Sequence, residues 1–251
     1  MYFKMVGFAI KWGLLTLKPP VRKAILLKRP NRFLGIVDID GVHTEVFIPN
    51  PGRMHELMVP GYEVFIRENP APHRKTNYDM VGLEYNGVLV SIDSNLPNRF
   101  IKKLLNNHEL VFFKDYKQVK SEPRVYGGRF DFKLEGPSGI TFIEVKSCTL
   151  IENGRAIFPD APTKRGARHL RHLAASLQDG TASRAAVLFV IQRPDAYVFS
   201  PNDPTDSAFG DALRFAHSNG VEIIPLTTEV VDWELKLLQR IPIELDYYLD
   251  K

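Results

Sequence analysis

The chain is predicted to be α+β, bordering on α/β, in two parts: a small N-terminal β-barrel, then a domain whose elements run αβββαβ. Three observations predict this. Short segments of alternating apolar residues, joined at Asp40-Gly41 and Asn86-Gly87, occupy most of residues 21–94. Beyond them the pattern shifts to helical spacing interleaved with strands. Ala185 to Ile191 is a continuous apolar run bounded by polar residues, the signature of a strand buried on both faces.

Taken in order, residues 1–20 stand apart as an N-terminal extension. Met5 to Leu17 is apolar but carries Lys11. It falls short of the ~20 apolar residues a spanning helix needs and lacks a small-residue cleavage site. It is read as a segment packed on the protein; the alternative is a membrane-surface helix with Trp12 at the interface. No stable membrane insertion is expected. Lys18-Pro19-Pro20 then breaks the segment. Residues 21–94 form the barrel. Phe33 to Ile39 and Val42 to Ile48 flank Asp40-Gly41, a strong hairpin signal. Tyr62 to Ile66, Tyr78 to Tyr85 and Val88 to Ile92 follow. Short strands at this spacing suit an OB-fold-like barrel or another small barrel.

Residues 95–251 form the second domain. Asn98 to Leu105 reads as a helix with Phe100, Ile101, Leu104 and Leu105 inward. Phe130 to Leu134 and Ile140 to Val145 make a hairpin around Gly136-Pro137-Ser138-Gly139, and Ala156 to Phe158 is a third short strand. Thr163 to Leu177 is a helix, with Leu170, Leu173, Ala174 and Leu177 on one face. After the strand from Ala185 to Ile191, Phe209, Ala212, Leu213 and Ala216 repeat the helical spacing. Gly220 stops that helix and Val221 to Pro225 is a last strand.

Composition is that of an ordinary globular chain, 44% hydrophobic and 25% charged. A net charge of +4 permits nucleic acid as a partner without demanding it. Cys148 is the only cysteine, which excludes an intrachain disulfide and a cysteine-based zinc site and points to the cytoplasm. At its position a small buried side chain is expected, not a nucleophile.

The chemistry-bearing residues lie on the predicted hairpin. Residues two apart on a strand share a face, so Glu144 and Lys146 point one way, Ile143 and Val145 the other. Asp131 can face Glu144 if the hairpin register allows. Two carboxylates about 4 Å apart repel by roughly 4 kcal/mol at an effective dielectric of about 20. A divalent cation removes that penalty, and oxygen ligands with room for waters suit Mg²⁺ or Mn²⁺. Asp131 and Glu144 are therefore expected to hold a metal that activates water against a phosphodiester. Lys146 would orient that water or offset transition-state charge; the Val145 carbonyl is a further candidate ligand. The bland alternative is a solvated Glu-Lys pair on an exposed strand.

The helix that follows carries Lys164, Arg165, Arg168 and Arg171, with His169 and His172 and no acid among them. Arg168 projects away from the apolar face, with Lys164 and Arg165 to either side. A solvated face ordinarily mixes signs, so a single-sign face suits phosphate binding. His169 and His172 are read as part of that basic surface. In the barrel, Arg53 on the turn Asn50-Pro51-Gly52-Arg53, and Arg74, Lys75 and Tyr78, are a candidate second contact surface for phosphate and base. Asp160 is read as turn or helix-entry chemistry, with reach to the metal as the alternative.

Several stretches, read together, resemble the sugar fermentation stimulation protein family, SfsA. They include Asn50-Pro51-Gly52-Arg53-Met54, Arg74-Lys75-Thr76, Arg129-Phe130-Asp131-Phe132, Phe142-Ile143-Glu144-Val145-Lys146-Ser147, Phe158-Pro159-Asp160-Ala161 and Gln192-Arg193. The resemblance implies an N-terminal OB-type domain joined to a PD-(D/E)XK, restriction-endonuclease-like domain. It further implies DNA binding and a part in regulating sugar metabolism. The superfamily's catalytic pattern carries over onto Asp131, Glu144 and Lys146, with Phe130 where the superfamily has proline. The expected function is a DNA-binding, metal-dependent nuclease that hydrolyses phosphodiester bonds. The alternatives are a non-catalytic, regulatory DNA-binding protein and an RNA-binding or RNA-processing one.

Overall fold

The computed structural model describes residues 20–248; the apolar segment from Met5 to Leu17 lies outside them. The first six strands are β1 (Val21–Asn31), β2 (Leu34–Ile39), β3 (Val42–Phe47), β4 (Glu63–Glu68), β5 (Tyr78–Tyr85) and β6 (Val88–Ser91). They pair in the order β3-β2-β1-β4-β5-β6, and a parallel contact between Phe47 and Asp79 joins β3 to β5 and closes the barrel. Both expected hairpins form. Asp40 and Gly41, then Asn86 and Gly87, all have positive φ, as the tight turns of two-residue hairpins require. Leu26, Val37, Val46, Ile48, Val64, Ile66, Met80 and Leu83 fill the interior.

The barrel's longest strand, β1, is not among the segments named from sequence. Only Ala24 and Leu26 of it are buried, and Arg22, Lys23, Lys28 and Arg29 interrupt the apolar pattern. Its two neighbours in the sheet, β2 and β4, satisfy its backbone whatever its side chains.

The second domain opens with α1 (Leu96–Asn106), then β7 (Gln118–Ser121), β8 (Arg124–Val125), β9 (Gly128–Arg129), β10 (Phe132–Gly136) and β11 (Gly139–Cys148). After β12 (Ile151–Glu152) and β13 (Arg155–Phe158) come α2 (Lys164–Gln178), β14 (Arg184–Ile191), β15 (Val198–Pro201), α3 (Asp203–Ser218), β16 (Glu222–Val231) and β17 (Glu234–Arg240). The central sheet has the order β17-β16-β14-β11-β10-β7. Its middle, β11-β14-β16, is parallel; the flanking pairs are antiparallel. As expected, β14 is the buried central strand, every residue after Arg184 being inaccessible.

The αβββαβ order holds, with one substitution. The third strand of the meander is β7, not the segment from Ala156 to Phe158. The latter lies in β13, which pairs with β12 and β15 in a separate small sheet. Gln118–Ser121 alternates half-buried with exposed residues on a sheet edge, too weakly apolar to stand out. Val221 to Pro225 is only the start of a longer strand, β16, which turns at Asp232 and Trp233 into β17.

Two cores sandwich the sheet. Phe142, Leu170, Leu173, Phe189, Phe209 and Leu213 pack beneath α2 and α3. Phe100, Ile101, Leu104, Ile143, Val145 and Leu188 pack beneath α1 on the other face. Burying each large apolar side chain contributes roughly 1.5–3 kcal/mol. Strand alternation therefore places Glu144 and Lys146, in step with Phe142, on the α2 side. The two domains are seated on one another through Trp233, whose ring lies 4.8 Å from Phe65. A Cβ on Gly82 would come within 2.7 Å of that indole and 2.1 Å of the Val90 carbonyl, so the position has no room for a side chain.

Candidate metal centre

The hairpin between β10 and β11 pairs Phe132 with Ile143. Continued by one residue, this register sets Asp131 opposite Glu144. Asp131 Oδ2 accepts the Val145 backbone N–H at 2.7 Å, and Oδ1 accepts the Asn98 side-chain amide from α1 at 2.8 Å. Burial, and next the charge of Glu144, push the Asp131 carboxyl above its ordinary pKa.

Glu144 is 3% exposed. Its Oε1 accepts from Lys146 Nζ and from His169 Nδ1, each at 2.5 Å. Burial alone would raise its pKa, but the Lys146 charge and the His169 hydrogen bond outweigh that and hold it below its ordinary value. The other oxygen, Oε2, is buried and has no hydrogen-bond partner among the described residues. A buried, ionised, half-satisfied carboxylate is costly unless something completes it.

That orphaned oxygen, on a residue across the hairpin from Asp131, fits a hard divalent cation. No group of three or more His, Cys, Asp or Glu side chains suited to a metal occurs among the described residues. The protein offers two carboxylates, a set that suits a cation keeping several waters, not zinc in a closed site.

The three residues line a cleft of about 410 Å³ between the two domains. Arg32, Asn50 and Gly52 close it from the barrel, and Asp160 and Arg165 from the entry to α2. Thr163 caps α2, its Oγ1 accepting the Gly166 N–H at 3.0 Å. Lys164, Arg165, Arg168 and Arg171 are all exposed, as expected of a basic face.

His169 corrects the expectation of a surface residue. It is 3% exposed, and behind it Arg165 Nε donates to its Nε2 at 3.4 Å. At about 100° per residue it lies only ~40° from Leu173, on the edge of the buried face; that was the available signal. His172 is half-buried, its ring 5.4 Å from Tyr126. Asn98, which steadies Asp131 from α1, begins the predicted helix, but local pattern does not assign it to the site.

The barrel residues divide. Arg53 is exposed beside the cleft, and Arg29 donates to its carbonyl. Arg74 is tied to Asp79 and stacks over Phe47 at 5.5 Å. Tyr78 is half-buried against the barrel core, its hydroxyl 3.5 Å from Glu68. Lys75 is exposed. None of these four lines the cleft. Asp160 turns to the barrel, where Oδ2 accepts the Met54 N–H at 3.3 Å. Cys148 is buried, which pushes its thiol far above the ordinary range and leaves it inert.

Fold and site define a class: an OB-like barrel joined to a mixed α/β domain with a carboxylate–lysine cluster at the junction. The profile described as "SfsA N-terminal OB domain" matches residues 27–92, and "Sugar fermentation stimulation protein RE domain" matches residues 95–234. The chain belongs to the sugar fermentation stimulation protein family. It is 42% identical to a sugar fermentation stimulation protein homolog of Desulfitobacterium hafniense, over 84% of this chain and 91% of that protein. A homolog from Clostridium perfringens is 40% identical over 90% of this chain and 97% of its own length. The structure of Pyrococcus furiosus SfsA in complex with Ca²⁺ superposes with a TM-score of 0.82 at 31% identity, covering 91% of this chain and 98% of that one. Among the described residues no helix is long and apolar enough to cross a membrane.

Proposed function

We propose that this protein is a nuclease that hydrolyses phosphodiester bonds in DNA with Mg²⁺ or Mn²⁺ held by Asp131 and Glu144. The observation that carries the reading is the buried Glu144, its Oε2 unpartnered among the described residues, across the hairpin from Asp131, with Lys146 lining the same interdomain cleft. The relative's complex with Ca²⁺, another hard oxygen-seeking cation, supports it. When bound, the cation would supply positive charge to the phosphate and lower the pKa of a water.

The chain's own residues do the rest. Glu144 is held ionised by Lys146 and His169, ready as a ligand. Lys146 Nζ spends one N–H on Glu144 Oε1, leaving two for a water or a phosphate oxygen in the cleft. Arg165, at the cleft wall, offers a planar guanidinium to the phosphate next along the strand.

One observation favours the second reading, a non-catalytic DNA-binding protein with a regulatory role. Both Asp131 oxygens already accept hydrogen bonds from the protein, so that carboxylate is satisfied as a structural group. Incubating the protein with single- and double-stranded DNA and RNA, with Mg²⁺, with Mn²⁺ and with chelator, separates the two. The nuclease reading expects metal-dependent cleavage that Asp131→Ala abolishes while binding survives. Binding without cleavage of any substrate overturns it in favour of the second reading.

A further inference from the structure

A second groove, about 590 Å³, adjoins the cleft. Arg124 and Arg129, on the β8–β9 hairpin, form one wall; Arg165 and Arg168, on α2, form the other. Arg165 lines both cavities, and His169, which lines the groove, reaches Glu144. The groove is therefore continuous with the candidate metal centre.

Two features mark it as built for an anion. Arg124 and Arg129 are direct cross-strand partners. Like charges placed opposite destabilise a two-stranded ribbon. Glu122 offsets only one of them, pairing with Arg129 at 3.1 Å across a largely exposed surface. Arg124, Arg165 and Arg168 form no ion pair with a carboxylate among the described residues.

The second feature is how the hairpin is held. Its turn places Tyr126 at φ +53°, an unfavourable conformation for so bulky a residue. The side chain accounts for it: the Tyr126 hydroxyl donates to Asp179 Oδ2 at 2.5 Å, and the ring packs on His172. Both partners lie at α2 or its end. The tip is thus pinned to α2, and the width of the arginine-lined gap is set by that anchor.

We propose that the groove between the β8–β9 hairpin and α2 binds the sugar–phosphate backbone of a nucleic acid where the strand leaves the metal centre. Guanidinium groups match phosphate in a planar, two-point geometry, and continuity through Arg165 aligns the track with the cleft. The inference rests on the nucleic-acid reading above but not on cleavage.

The test is binding of a short fluorescent DNA strand and its duplex, in chelator, across a range of salt. The double variant Arg124→Ser/Arg129→Ser is expected to bind about tenfold more weakly, with a salt slope smaller by about two. Lys102→Ser/Lys103→Ser removes the same charge from α1, on the opposite face of the sheet, and is expected to stay within about twofold of the parent. Arg124→Lys/Arg129→Lys, which keeps the charge, should recover most of the slope and so exclude misfolding as the cause. Affinity of the serine variant within about twofold of the parent, or an equal loss in the α1 variant, overturns the proposal. So does polyglutamate competing as well as DNA, which would make the groove a site for acidic protein. Because no metal is present, failure here is distinct from failure to cleave. A protein that binds through the groove yet never cuts sinks only the nuclease reading.

Discussion

Asp131 and Glu144 are neighbouring carboxylates pushed in opposite directions. Asp131 is raised because burial and the Glu144 charge outweigh its two hydrogen bonds. Glu144 is lowered because Lys146 and His169 outweigh burial. Linkage gives each a sign. Asp131 binds its proton more tightly folded than unfolded, so its ionisation costs stability above its raised pKa, and the cost fades as pH falls. Glu144 contributes stability above its ordinary value of 4.5, lost as pH falls through its lowered pKa. Asp131→Asn should therefore stabilise the metal-free protein at neutral pH, by on the order of 1 kcal/mol or roughly 2–4 °C in Tm. The gain should shrink as pH drops into the carboxylate range. Thermal melts in chelator across pH check this; a lower Tm at pH 7 would show that the charge is fully compensated. Asn98 can adapt to the new amide, because its own Oδ1 is buried and unpartnered.

At the scale of elements, α2 sets two layers of the site at once. Arg165 and His169 are one turn apart, the first at the cleft wall and the second against Glu144. Thr163 fixes where the helix begins and hence the rotation at which both project. Removing the imidazole leaves Glu144 with Lys146 alone to orient it. His169→Ala is expected to weaken Mn²⁺ binding by about 10–100-fold. His169→Asn, which keeps a donor near Nδ1, should retain most of the affinity. Titration calorimetry with Mn²⁺ measures both, and equal losses would argue that His169 only fills space. The sheet elements were readable to different degrees. β14 stands out because both faces are apolar, and β11 because Ile143 and Val145 alternate with Glu144 and Lys146, while β1 and β7 have one solvated face and charges that mask the alternation.

In the whole molecule, the cleft exists because the barrel is seated on the α/β domain. Trp233 against Phe65, the Arg193 guanidinium 5.2 Å above Tyr85, and Asp160 beneath Met54 form that seat. A Cβ on Gly52 would meet Asp160 Oδ2 at 2.3 Å, which shows how closely the barrel turn approaches. Asp160→Ala is thus expected to loosen residues 52–54 in hydrogen exchange while Mn²⁺ affinity changes less than about twofold. A large loss of metal affinity would instead make Asp160 a ligand.

Local pattern was enough for the barrel hairpins, the central strand and the common face of Glu144 and Lys146, since turn chemistry and a period of two act over a few residues. It also isolated the basic face of α2 and, through a chain of short motifs, the family. Packing decided the rest. Asp131 meets Glu144 only through the register of a hairpin, His169 joins them only because α2 lies on that face of β11, and Asn98 arrives from the opposite side. Arg74 and Tyr78 acquire an ion pair with Asp79 and a place against the barrel core, respectively, that local pattern did not show. Side chains distant in sequence acquire their charge partners and burial from the tertiary contacts, and those contacts determine whether a cation is free to bind or a carboxylate is left open.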